Sequence, residues 1–275
     1  MRTHDNVWQD DRQMTAEMAK PDLTDSQLVG ATTESGGGGK DGIVERAIRR
    51  LSDRRDVVIW EGEPVEPGPQ LAYAHDSGSP RAEKLRSLRT ELIMRIGTHK
   101  GAAAFAILGA HPGEGRSQLC AELALAFAQL AGKTLLVDAN LRKPSIDKLF
   151  RGARSDLGLT EVLLGKTTTM PLHRVIGPQH LAVLTAGTPP TNPVDLLSGV
   201  QFERLVKDWS RTYDYVLIDT PPTSLRSDGI VIANAVRNVV LVARRNQTSY
   251  AEVTELKRRL DAIQTRIIGA VLNDF

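Results

Sequence analysis

An apolar run from Ala102 to Leu108 leads without a break into Gly109-Ala110-His111-Pro112-Gly113-Glu114-Gly115-Arg116-Ser117, and nothing else in the chain restricts its fold as much. An apolar stretch of this length, closed by glycine and too short to span a bilayer, reads as a buried parallel strand. After it, Leu119, Leu123, Ala126, Phe127 and Leu130 recur at helical spacing, and Gly132 supplies the stop. A strand, a glycine loop and a helix in that order let successive amides converge on phosphate oxygens beside the positive end of the helix dipole. The segment follows the Walker A template with two departures, Ala110 at the first position and Arg116 where lysine is usual. Ala110, His111, Pro112, Gly113, Glu114, Gly115, Arg116, Ser117 and Gln118 are therefore expected to line a nucleoside triphosphate, with the Ser117 hydroxyl on Mg²⁺. Arg116 keeps the charge but brings a planar fork in place of a compact ammonium, so binding is expected to survive while transfer chemistry is slowed or redirected.

Two further strands end in acids. Thr134 to Asp138 continues into Ala139-Asn140-Leu141-Arg142, and Tyr215 to Asp219 continues into Thr220-Pro221-Pro222. Ligands of open α/β sheets collect at the carboxyl ends of the strands, so Asp138 and Asp219 are expected to converge on the same crevice as Ser117. Residues 181–185, 238–243 and 267–272 read as more strands, alternating with helices at about 201–212, 228–235 and 249–263. That alternation predicts an α/β fold with a mostly parallel sheet covered by helices on both faces.

With these residues in view, the chain resembles the bacterial tyrosine kinases of capsule and exopolysaccharide synthesis, P-loop proteins of the deviant Walker group. The resemblance rests on the Walker A loop, Asp138-x-Asn140-x-Arg142 and Asp219-Thr220-Pro221-Pro222. It extends to Glu83-x-x-Arg86-x-x-Arg89, and to Ala186-Gly187-Thr188-Pro189-Pro190-Thr191-Asn192-Pro193 followed by Asp195-Leu196-Leu197-Ser198. It covers about residues 80 to 275 and implies a P-loop NTPase fold, ATP and Mg²⁺ as cofactors, and protein-tyrosine kinase and ATPase activity. It also implies self-association through Glu83, Arg86 and Arg89, and a membrane-embedded polysaccharide chain-length determinant as partner. By the same resemblance Asp138 takes the proton of an attacking tyrosine or orients water while staying close to Mg²⁺, Asp219 is the Walker B acid that holds the metal directly or through water, Arg116 and Arg142 assist catalysis, and Asn273 reads adenine. Asn140 stands where the family shows a second Asp. His111 occupies the place of the signature lysine of the related partition and division ATPases, which favours the kinase branch. Arg116 and Asn140 keep an alternative open, a nucleotide-dependent regulatory module of a secretion complex with weak or lost kinase activity. The chain stops at Phe275 and its tyrosines are Tyr73, Tyr213, Tyr215 and Tyr250, so autophosphorylation on a clustered tail is not expected. Packing is the default for Tyr213 and Tyr215, whereas Tyr73 and Tyr250 are expected within reach of a neighbour.

The formal net charge of +2 gives no electrostatic case for nucleic acid. The start of the chain lacks a secretory layout, so a cytoplasmic location is expected, with any membrane association made through the partner. Cys120 is the one cysteine, read as a small buried hydrophobe. Residues 1–40 read as a disordered polar tail ending in four glycines, 41–56 as a short amphipathic basic helix, 57–80 as a Pro/Gly-rich linker, and 81–275 as the P-loop domain.

Overall fold

The computed structural model describes residues 58–61, 63–96, 103–154, 156–167, 169–177 and 180–274, so the expected tail and basic helix lie outside the described residues. The strands are β1 (Val58–Glu61), β2 (Glu66–Pro67), β3 (Ala103–Gly109), β4 (Thr134–Asp138), β5 (Phe150–Arg151), β6 (Thr169–Arg174), β7 (Leu181–Leu184), β8 (Tyr215–Asp219), β9 (Asn238–Arg244) and β10 (Arg266–Asn273). The helices are α1 (Ala72–His75), α2 (Pro80–Ile96), α3 (Arg116–Phe127), α4 (Ile146–Leu149), α5 (Leu159–Leu163), α6 (Pro193–Leu197), α7 (Val200–Thr212), α8 (Asp228–Val236) and α9 (Tyr250–Ala262).

Eight strands form one sheet in the order β1-β6-β7-β4-β8-β3-β9-β10. From β7 to β10 every pairing is parallel, and β6 joins β7 antiparallel. Side chains alternate across the sheet, and β3 shows the consequence. Phe105 and Ile107 join one core with Leu85, Leu92, Leu119, Leu123 and Phe127 of α2 and α3. Ala104, Ala106 and Leu108 join the opposite core with Phe202, Trp209, Ile232, Leu256 and Leu260 of α7, α8 and α9. Both faces are covered, which is why β3, β4 and β8 could be apolar along nearly their whole length.

Helix α3 is buried on nearly every side, because α2 lies over its outer surface. Arg81 on α2 donates from Nε and Nη2 to the fully buried Glu122, at 2.6 Å for the closest contact. Cys120 lies within this helix with no exposure, and burial pushes its thiol well above the usual range.

The expected linker at 57–80 needs correction. β1 pairs with β6 in the main sheet, β2 pairs with β5, and Val65, Leu71 and Tyr73 are buried to 2 % exposure or less. Val65 N–H donates to Arg174 O at 2.9 Å, and its carbonyl accepts Ile176 N–H at 2.8 Å. Pro64, Pro67 and Pro69 break any periodicity here, so the segment packs residue by residue instead of as one long element. Tyr73 is accordingly not reachable by a neighbour, and its hydroxyl donates to Gln129 Oε1 at 2.6 Å.

A phosphate loop closed over two buried acids

Gly109 ends β3 where a side chain has no room, since a Cβ would collide with the Glu114 carboxylate and the Val242 carbonyl. Gly113 and Gly115 take left-handed φ values of 81° and 84°, conformations that cost most other residues about 1 kcal/mol or more. These two turns bend the chain so that α3 starts at Arg116 with its free N–H groups facing the loop.

Asp138 and Asp219 end β4 and β8 in register with each other, and neither has any exposed surface. Ser117 Oγ donates to Asp219 Oδ2 at 2.6 Å, while Asp219 Oδ1 is buried with no partner. Asp138 sits in a cradle of amides. Asn140 N–H donates to its Oδ1, and Ser145 and Ile146 N–H to its Oδ2, each at 3.0 Å. Burial first and the charge of Asp219 second raise Asp138 to about 7, against the pull of those three amides. Burial also raises Asp219 to about 6, opposed by Ser117 and by the charge of Arg116. Two acids closed off together in this way are short of one positive partner.

Other expected site residues have partners within the protein. Arg116 turns inward instead of lying along the outer phosphates. Its Nη1 donates to His111 O at 2.6 Å and pairs with Glu114 at 3.1 Å, and its Nε donates to Thr220 O at 3.3 Å. The cause is Glu114, which has no exposure and needs a cation beside it. Arg142, expected to assist catalysis, instead forks onto Asp228 on α8 at 3.1–3.2 Å. Asn140 closes its own loop, donating from Nδ2 to Lys143 O at 2.8 Å and accepting Lys143 N–H at 3.3 Å. Asn273, expected to read adenine, donates from Nδ2 to Glu114 O at 2.7 Å, and Gln118 donates to Gln70 O at 3.0 Å.

A clasp absent from the sequence reading holds the outer edge of the loop. Between β9 and α9, Arg244 Nη1 donates to Gly113 O, Gln247 Nε2 to Pro112 O and Thr248 Oγ1 to Glu114 Oε1, at 3.1, 3.1 and 2.6 Å. Glu252 of α9 bonds the His111 ring. Glu252 also closes the capping box with Ser249, and the Ser249 and His111 hydrogen bonds hold it at about 2. A helix from about residue 249 was expected from the sequence; its contact with the loop was not.

Glu83 and Arg86 pair along α2 at 2.6 Å, whereas Arg89 turns inward and donates to Ala126 O at the end of α3 at 2.7 Å. Past the carboxyl end of β7, one strand from Asp138, a cleft of about 470 Å³ is lined by Thr160, Lys166, Thr188, Pro190, Asn192 and Asp195 among others. No helix among the described residues is long and apolar enough to cross a membrane.

No protein-family model matches the chain. Tyrosine-protein kinase YwqD of Bacillus subtilis is 34% identical over 195 residues, 71% of this chain and 81% of the relative. Putative tyrosine-protein kinase CapB of Staphylococcus aureus is 33% identical over 202 residues, 73% of this chain and 88% of the relative. Among solved structures, the kinase domain of Escherichia coli tyrosine kinase ETK superposes with a TM-score of 0.70 at 30% identity, covering 82% of this chain and 86% of that one. A Pyrococcus horikoshii septum site-determining protein complexed with Mg-ADP shares the fold, with a TM-score of 0.54 at 19% identity over 62% of this chain and 70% of that one.

Proposed function

Because the chain belongs to the bacterial tyrosine-protein kinase family, we propose that it binds ATP with Mg²⁺ on the phosphate loop and transfers the γ-phosphoryl group to a tyrosine hydroxyl. We further propose that this transfer regulates polymerisation and export of an exopolysaccharide or capsule, at the inner face of the membrane, through a membrane-embedded chain-length determinant.

One observation carries the reading: two fully buried carboxylates face each other from paired strands, with Ser117 on one of them and an oxygen of Asp219 left without a partner. That donor set fits a hard divalent cation, which takes carboxylate and hydroxyl oxygens. Ser117, Asp219 and Asp138 would hold Mg²⁺, and the amides of Gly113, Gly115 and Arg116 would hold phosphate oxygens. When bound, the metal nucleotide supplies the electrophilic phosphorus and neutralises charge on the leaving diphosphate.

Asp138 then does the proton work. Its carboxylate would take the phenolic proton, and its three amide donors fix the direction of its oxygens. Glu83 and Arg86 would carry self-association from α2, with Arg89 holding the helix in place from within.

The inward turn of Arg116 favours a second reading, a nucleotide-dependent regulatory module that hydrolyses ATP without modifying protein. One assay separates the two. The full chain is incubated with ATP and Mg²⁺, with and without the cytoplasmic segment of a chain-length determinant, and phosphotyrosine is sought by mass spectrometry. Modified tyrosine supports the kinase reading; ADP release without it leaves the regulatory one.

A further inference from the structure

We infer that Asp228 is a positioning residue which, by gripping Arg142, fixes the amide cradle of Asp138 against the frame that carries Asp219. The inference deepens the proposed function, since it concerns how the same site keeps its shape.

Asp228 opens α8 with 1 % exposure, and a carboxylate so enclosed is costly unless paired. Its partner is Arg142, whose Nε lies 3.2 Å from both carboxylate oxygens while Nη2 reaches Oδ1 at 3.1 Å. A fork meeting both oxygens resists rotation as well as separation, which a lysine could not do.

What the pair connects gives it its function. On one side, the segment after Asp219 is sewn to the end of β3 and the start of the phosphate loop. Thr220 Oγ1 donates to Ile107 O at 2.6 Å, Thr223 N–H and Oγ1 to Gly109 O at 3.0 and 3.1 Å, and Ser224 N–H to Ala110 O at 3.0 Å. The start of α8 is pressed onto that segment, for a Cβ on Gly229 would come within 2.8 Å of Thr223 Cγ2. Asp228 therefore belongs to the same rigid frame as Asp219. On the other side, Arg142 lies in the loop whose Asn140, Ser145 and Ile146 amides hold Asp138. Beside the backbone bond from Ala139 N–H to Asp219 O at 3.0 Å, the ion pair ties the two loops through side chains.

The test uses the full chain, first without nucleotide. D228N and R142Q are each compared with the parent by amide hydrogen exchange, and the exposed Arg142 supplies a variant in case loss of the buried Asp228 prevents folding. Exchange at Asn140, Ser145 and Ile146 should accelerate about tenfold or more while amides of β3 and β8 keep their protection. The charge swap R142D/D228R should recover part of that protection, because it restores the tie. In ADP release, Mg²⁺ for half-maximal activity should rise about tenfold with KM for ATP within about threefold, since the phosphate loop is untouched. Unchanged exchange at the three amides, or acceleration spread equally over the sheet with no rescue by the swap, would overturn the inference. Absence of phosphotyrosine from the parent would sink the kinase reading alone, because the exchange result stands without it.

Discussion

Asp138 and Asp219 stand opposite each other on β4 and β8, both without solvent exposure, and burial raises both carboxyls, to about 7 and about 6. A carboxyl raised in the folded state binds its proton more tightly there than in the unfolded chain. Its stabilising effect is complete below the unfolded value and is lost as pH rises through the folded one. The nucleotide-free protein should therefore lose stability between about pH 4 and about pH 7, by an amount on the order of several degrees in Tm. Mg²⁺ with nucleotide should remove the decline, and D138N should flatten it. Calorimetric Tm against pH checks this; a nucleotide-free Tm that rises across the window would contradict it.

Arg116 is bound inside the loop to Glu114 and to the carbonyls of His111 and Thr220. Lysine has no fork with which to meet the three together, so R116K should cost on the order of 2 kcal/mol. Urea unfolding reads that loss. Its ammonium, freed to reach the outer phosphates, should lower KM for ATP, and a variant as stable as the parent would contradict the inward placement.

Thr248 is the second partner of the buried Glu114. T248V leaves Glu114 Oε1 without that donor and should destabilise by about 1–3 kcal/mol, with weaker nucleotide binding because the outer edge of the loop loses its support. A change confined to α9, with Mg-ADP affinity unaltered, would mean that the clasp does not act on the loop.

Tyr250 is 87 % exposed in the first turn of α9, whereas Tyr73 is buried at 2 % and Tyr213 and Tyr215 pack against the two cores. If copies of the chain modify one another within this sequence, phosphate should map to Tyr250. Y250F should abolish that signal with ADP release unchanged. Phosphotyrosine at Tyr73 in folded protein would contradict the structure.

The central strands were legible because a parallel strand covered on both faces must be apolar throughout, and β3, β4 and β8 are written that way. β1 and β6 were not. Thr169 to Arg174 mixes proline, histidine and arginine, and Pro171 is tolerated because it lies beyond the residues that pair with β7. The loop glycines and the two acids were legible for a similar reason, since backbone freedom and strand-end carboxylates leave local marks. The partners were not legible: Arg142 meets Asp228 86 residues away and Glu114 meets Thr248 134 away, and no local pattern encodes such pairings. Arg116 shows the limit most clearly. Its position in the motif pointed outward to phosphate, and the burial of Glu114 turned it in.

The central claim is that the bent glycine loop and the two facing acids take a nucleotide together with its metal ion. Isothermal titration calorimetry of the full chain with ATP tests it most directly, run with Mg²⁺ and again with EDTA. Saturable binding that needs Mg²⁺ and is weakened at least about tenfold by S117A and by D219N is the predicted result. No heat at millimolar ATP, or equal binding in EDTA, would contradict the account.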